Sequence, residues 1–144
     1  MKAIKLKEDI YWVGAIDWGI RNFHGYSTQR GTTYNAFLLI DEKITLIDTV
    51  KYHLIDEMLD RISDVINPAD IDYVISNHVE QDHSGSLPEI MAIARNATLV
   101  TSPNGEKGLR AHYKESWNFH VAKMGEVLNI GERNLTFVHT PMVH

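Results

Sequence analysis

Apolar and polar positions along this chain change period several times, and each change marks an element. Thr32 to Ile40 (TTYNAFLLI) and Ile44 to Val50 (ITLIDTV) are β-branched and aromatic runs separated by Asp41, Glu42 and Lys43, which predicts a hairpin. Ile10 to Val13 reads as another short strand of the same sheet. Beyond Tyr52 the spacing becomes three and four: Leu54, Ile55, Met58, Leu59, Ile62, Val65 and Ile66 line one face of an amphipathic helix. Asn67 and Pro68 stop it, because proline disfavours helical backbone in the residue before it. Ile71 to Ser76 follows as a buried strand. Ser86 stands three residues before Glu89, the spacing of a capping box, with Leu87 and Pro88 in the first turn of the next helix. Ala97 to Thr101 is a strand and Gly105 to Tyr113 a short helix. Asn118–Ala122, Glu126–Ile130 and Asn134–His139 are three more strands, with Gly131 in a turn. Strands and helices alternate, which predicts an α/β sandwich with sheet inside and helices outside.

Composition narrows the function classes. At 144 residues, 44% hydrophobic and 23% charged, the chain fits one globular domain with its own core. Its net charge of −5 argues against nucleic acid or an anionic membrane as partner. No run approaches the roughly 18 apolar residues of a spanning helix. The opening MKAIKLKEDIYW also lacks the apolar core of a signal peptide, so a cytoplasmic protein is expected. Cysteine is absent, so any metal must be held by nitrogen and oxygen, and eight histidines supply the nitrogen.

Chemistry concentrates in SNHVEQDHSG, Ser76 to Gly85. One helical face would collect only His78 and Asp82 from this stretch, and one strand face would lose His83. A tight loop curling around a point is the remaining geometry. Glu80 and Asp82 repel one another, and a cation between them and the two imidazoles relieves that repulsion. Two imidazoles with two carboxylates suit iron, manganese or zinc. His53, His112 and His120 read as surface or packing residues, His139 as structural by strand parity, and Trp12, Trp18 and Trp117 as core or interface aromatics.

HVEQDH (His78 to His83) resembles the HxExDH signature of flavodiiron proteins, a branch of the metallo-β-lactamase fold whose hydrolases usually show HxHxDH. Glu80 stands where a zinc hydrolase places its second histidine. Tyr11 to Leu39 is similar to that family's opening, and HTPMVH (His139 to His144) resembles its next ligand segment. The resemblance implies a metallo-β-lactamase-like αββα sandwich, of which residues 1–144 form the N-terminal portion. It implies two non-haem irons held by His78, Glu80, Asp82, His83 and His144, with His78, Glu80 and His144 on one iron and Asp82 on the other. His24, in NFHGYS, resembles a catalytic pocket histidine that donates a hydrogen bond or moves protons; the alternative is a histidine that fixes its own loop.

The same resemblance implies reduction of dioxygen to water or nitric oxide to nitrous oxide, with electrons delivered through FMN from rubredoxin or a reduced flavin coenzyme. A head-to-tail homodimer is implied as well. The bridging aspartate, the final histidine and the flavodoxin-like FMN domain of that family lie beyond the segment resembling HTPMVH, so the chain is expected to be part of a longer protein or half of a split one. The rival expectations are a zinc hydrolase of the same fold and a catalytically inert half-domain that needs a complementary polypeptide.

Overall fold

The structure, a computed structural model, describes residues 1–140. In chain order its elements are β1 (Ile4–Lys7), β2 (Ile10–Trp12), β3 (Ala15–Asp17), β4 (Asn22–Phe23), β5 (Tyr26–Ser27), β6 (Thr32–Tyr34), β7 (Phe37–Leu39), β8 (Thr45–Ile47), α1 (Ile55–Ser63), β9 (Tyr73–Ile75), α2 (Gln81–Ser84), α3 (Leu87–Ile93), β10 (Thr98–Thr101), α4 (Pro103–Tyr113), β11 (Phe119–Val121), β12 (Val127–Asn129) and β13 (Asn134–Thr136).

Period-two alternation builds the centre. In a sheet of order β1-β2-β7-β8-β9-β10-β11, register sets Tyr11 beside Leu38, Leu38 beside Leu46, Leu46 beside Val74, Val74 beside Leu99 and Leu99 beside Phe119. This row faces the helices. Met58 and Ile62 of α1, Leu87, Ile90 and Met91 of α3 and Leu109 of α4 are buried against it. Each fully buried leucine of that row contributes about 1.5–3 kcal/mol. On the other face Ile75 and Val100 meet Ala122 and, from the β12–β13 hairpin and its continuation, Leu128, Leu135 and Phe137.

The sheet is mixed. β1, β2, β7 and β8 are joined antiparallel, whereas β8, β9, β10 and β11 run parallel. The parallel strands therefore all end on one edge, where the turns after them gather. In open α/β sheets that edge is the usual place for a ligand.

Several local expectations are revised. The run from Thr32 to Ile40 is not one strand. Asn35 and Ala36 leave the ladder, so β6 pairs with β3 in a separate ribbon while β7 enters the main sheet. The amide of Asn35 is spent on the Trp12 indole (2.9 Å), and the Val13 N–H donates to the Ala36 carbonyl (2.9 Å), which pins the crossing point. α1 ends at Ser63, not Ile66, because the Val65 and Ile66 N–H groups both return to the Ile62 carbonyl. Ser86 makes no capping bond. Its backbone (φ −102°, ψ 7°) continues out of the preceding turn and lacks the extended geometry that aims a cap side chain at the helix.

Candidate metal centre

The ligand loop begins where β9 ends. Ser76 is buried; its hydroxyl donates to the His78 carbonyl (2.8 Å), and its own carbonyl accepts from Thr101 Oγ1 (2.9 Å), so the first residues of the loop are tied to β10. The Val79 N–H donates to His78 Nδ1 (2.9 Å) and sets that ring 5.3 Å from the ring of His83. The chain does not stay irregular, as the sequence suggested. Glu80 caps a single helical turn, α2, and its carbonyl accepts from the N–H groups of His83 (2.9 Å) and Ser84 (2.8 Å). Asp82 and His83 thus project from one turn while Glu80 stands at its mouth.

Asp48, which sequence reasoning passed over, organises this loop from outside. It follows β8 at φ 58°, a left-handed conformation that aspartate tolerates better than most residues, and it is 6% exposed. Its carboxylate accepts from the backbone N–H (2.8 Å) and side-chain amide (3.1 Å) of Asn77 and faces His83 Nδ1 at 3.1 Å. The hydrogen bond to Asp48 pushes the His83 pKa up, against its partial burial, and the charges of Asp48, Asp82 and Glu80 add to the rise. A carboxylate that accepts at Nδ1 leaves Nε2 of neutral His83 as the nitrogen able to bond a metal, as in the carboxylate–histidine pairs of metal sites. That nitrogen lies 3.5 Å from Asp82 Oδ2. The available signal was an aspartate directly after an apolar run, at a strand's carboxyl end.

His24 sits at the tip of the β4–β5 hairpin. His24 (φ 50°) and Gly25 (φ 81°) are both left-handed, the requirement of a two-residue type I′ turn. The turn lifts the imidazole over the loop, edge-on to Phe23 (4.1 Å between centroids) and with Nε2 3.7 Å from Glu80 Oε2. His24, Glu80 and Asp82 present ligand atoms within 4.8 Å of one another. They line an open cavity of about 470 Å³ that Lys51 and His112 also border. Lys51 Nζ lies 4.9 Å above the Phe23 ring and 5.3 Å above that of Tyr34, so the cavity that Glu80 and Asp82 line also has a cationic member. Burial, reinforced by Asp17, pushes the Tyr34 hydroxyl up to about 12, which keeps it protonated.

Other expected residues fall elsewhere. His53 pairs with Asp17 (3.2 Å), and His120 pairs with Glu126 (2.5 Å). His139, read as structural, has its Nε2 3.1 Å from the Ala122 carbonyl. His112, expected to be a surface residue, is exposed yet borders the cavity. His144 lies outside the described residues.

The donor set fits a first-row cation. First-row metals bond imidazole and carboxylate at about 2.0–2.2 Å, so one ion bridges donors separated by roughly 3–4 Å. His24 Nε2 lies 3.7 Å from Glu80 Oε2 and His83 Nε2 3.5 Å from Asp82 Oδ2, and the ligand atoms of His24, Glu80 and Asp82 all fall within 4.8 Å. With nitrogen and oxygen donors only, the chemistry is that of iron, manganese or zinc.

A helical layer on a mixed sheet, with a histidine- and carboxylate-bearing loop at the ends of its parallel strands, defines a metallo-β-lactamase-like domain. The family model described as ODP family beta lactamase matches residues 32–144, and the chain belongs to that family. It is similar over 99% of its length to the nitric oxide reductase of Moorella thermoacetica (40% identity) and covers 37% of that protein. Among solved structures, rubredoxin oxygen:oxidoreductase from Desulfovibrio gigas superimposes with a TM-score of 0.95 at 43% identity, with 99% of this chain and 36% of that one covered. The flavodiiron protein of Giardia intestinalis gives 0.94 at 36% identity, covering 100% of this chain and 36% of that one. The chain thus spans little more than a third of these relatives. Among the described residues no helix is long and apolar enough to cross a membrane.

Proposed function

We propose that the protein containing this chain is a cytoplasmic flavodiiron reductase that converts dioxygen to water, nitric oxide to nitrous oxide, or both. The observation that carries the reading is the HVEQDH loop, whose Glu80 and Asp82 converge with His24 at the carboxyl edge of the parallel strands. His78, Glu80, Asp82 and His83 would hold a pair of irons, joined by His144 and by ligands from outside this chain. Irons bound there would supply electrons and open coordination positions for a diatomic substrate. FMN would bring those electrons from a rubredoxin or a reduced flavin coenzyme, within a head-to-tail homodimer.

The chain's own residues have separable tasks. Glu80 and Asp82 neutralise cationic charge. Asp48 holds His83 with Nε2 toward Asp82. His24, at the tip of the β4–β5 hairpin and 3.7 Å from Glu80, is placed to hold or move a proton at Nε2 above the cavity. Phe23 and the aliphatic stem of Lys51 limit water on that side, while the Lys51 ammonium offsets the carboxylates. A zinc hydrolase is not favoured, because Glu80 replaces the histidine that such sites use and the similar proteins are named as oxidoreductases.

The test is metal analysis of the complete protein together with anaerobic consumption of nitric oxide, and consumption of oxygen, driven by reduced rubredoxin. Iron with turnover of either gas is the expected result. Stoichiometric zinc without turnover would overturn the reading.

A further inference from the structure

Helix α4 touches the ligand loop at two points that no metal ligand explains. Gly105, Gly108, Leu109, His112 and Tyr113 share one face of this helix by their three- and four-residue spacing. At Gly108 a Cβ would stand 3.1 Å from Cγ1 of Val79, the residue between His78 and Glu80, so only a bare backbone gives Val79 this seat without displacement. One turn on, the Tyr113 hydroxyl donates to the Ser84 carbonyl (2.7 Å) and lies 2.9 Å from Ser84 Oγ. Ser84 is fully buried, and its hydroxyl donates in turn to the Val79 carbonyl (2.7 Å).

The proton count closes. Ser84 spends its one hydrogen on Val79, and Tyr113 spends its own on Ser84. The two bonds join the start and end of the stretch that bears Glu80, Asp82 and His83. On the far side of α2 the His83 carbonyl accepts from both the N–H (2.9 Å) and the hydroxyl (2.7 Å) of Thr49. The turn is therefore gripped from β8 and from α4. A hydroxyl buried entirely, with no water to compete for it, holds its acceptor in one geometry.

We propose that Tyr113, acting through Ser84, is a positioning residue that sets the separation of the Glu80 and Asp82 carboxylates and thereby the affinity and geometry of the metal centre. The inference rests on the metal-centre reading above. Tyr113→Phe keeps the ring against Trp117 (5.5 Å between centroids) and removes only the hydroxyl. Ser84→Ala removes the bond to Val79.

The experiment uses the complete native polypeptide, stripped of metal and titrated with Co²⁺, whose ligand-field absorption reports ligand arrangement independently of turnover. Each variant is expected to bind Co²⁺ about tenfold more weakly, with a shifted absorption band, the low end of what outer partners of metal ligands contribute. The double variant is expected to be little worse than either single one, because both cut the same chain of bonds. Leu109→Ala serves as a control that loosens the same helix without touching the network, and it is expected to lower stability and leave the band in place. A wild-type band and affinity in Tyr113→Phe would overturn the proposal, as would the same band shift in Leu109→Ala. Failure of the wild type to bind Co²⁺ would show before any variant was made and would remove the metal-centre reading itself.

Discussion

The carboxylate of Asp48 lies 3.1 Å from Nδ1 of His83, and the same two carboxylate oxygens bind both the backbone and the side chain of Asn77. One buried residue at the end of β8 thus fixes a ring on α2 and the second residue of the ligand loop together. Asp48→Asn keeps the shape but can no longer satisfy three donors as an anion. Metal affinity is expected to fall by about 10–100-fold. Titration of the metal-free protein checks this, and unchanged affinity would remove Asp48 from the centre.

Gly85 closes the ligand loop where the chain has no room. A Cβ there would lie 2.4 Å from the Gln81 carbonyl and 3.0 Å from the Tyr52 backbone nitrogen. Neither is the end of a flexible side chain, so Gly85→Ala forces α2 and the segment after β8 apart. A loss of about 1–3 kcal/mol is expected from denaturant unfolding. Metal affinity should fall with it, since Asp82 and His83 ride on the displaced turn.

The sequence made the central elements legible because burial dictated their pattern. Leu38, Leu46, Val74 and Leu99 form one row facing the helices, Ile75 and Val100 fill the opposite face, and Met58 and Ile62 recur at helical spacing over the row. What stayed hidden depends on contacts distant in the chain. The break at Asn35 is set by Trp12, the role of Asp48 by Asn77 and His83, and the helical turn α2 by bonds from Thr49 and Tyr113. Ser86 and Glu89 show the converse. Their spacing is that of a capping box, yet the chain arrives at Ser86 from a turn that denies it the required backbone.

The ligand loop itself was visible as a cluster, but its third dimension was not. Nothing in the spacing brings His24 to Glu80. That contact exists because His24 and Gly25 form a type I′ turn that returns β5 along β4. His24→Asn retains a residue suited to positive φ and removes the imidazole. The variant is expected to keep its fold and metal content while kcat falls by about 10²–10⁴-fold, the range of a lost general acid or base. Loss of metal in step with activity would instead make His24 a ligand.

Core substitution gives a reference against which these local effects can be read. Leu46 is fully buried at the middle of the row and contacts elements on both sides of β8. Leu46→Ala is expected to cost about 2–5 kcal/mol, from lost burial and the cavity left behind. Chemical denaturation measures it, and a cost below 1 kcal/mol would mean that the sheet relaxes around the gap.

Asp41, in the turn between β7 and β8, holds the turn of the β12–β13 hairpin and supplies a dependence on pH that owes nothing to the metal centre. Its carboxylate accepts from the backbone N–H groups of Glu132 (2.9 Å), Glu42 (2.8 Å) and Arg133 (3.1 Å) and from the Arg133 guanidinium (3.1 Å). These donors, the Glu132 N–H foremost, favour the ionised form and hold its pKa below the ordinary value of 3.8. A folded-state pKa below the unfolded one means stabilisation that is complete above about pH 4 and drains away as pH falls through the lowered value. Asp41→Asn replaces one of the two acceptor oxygens with an NH2 group, which then faces two of the four donors. The variant is expected to unfold at a lower temperature than the wild type at pH 7, and the gap should narrow as pH falls below about 4. A gap that stays constant across that range would mean the β12–β13 hairpin is held by packing of Leu128 and Leu135, not by the charge on Asp41.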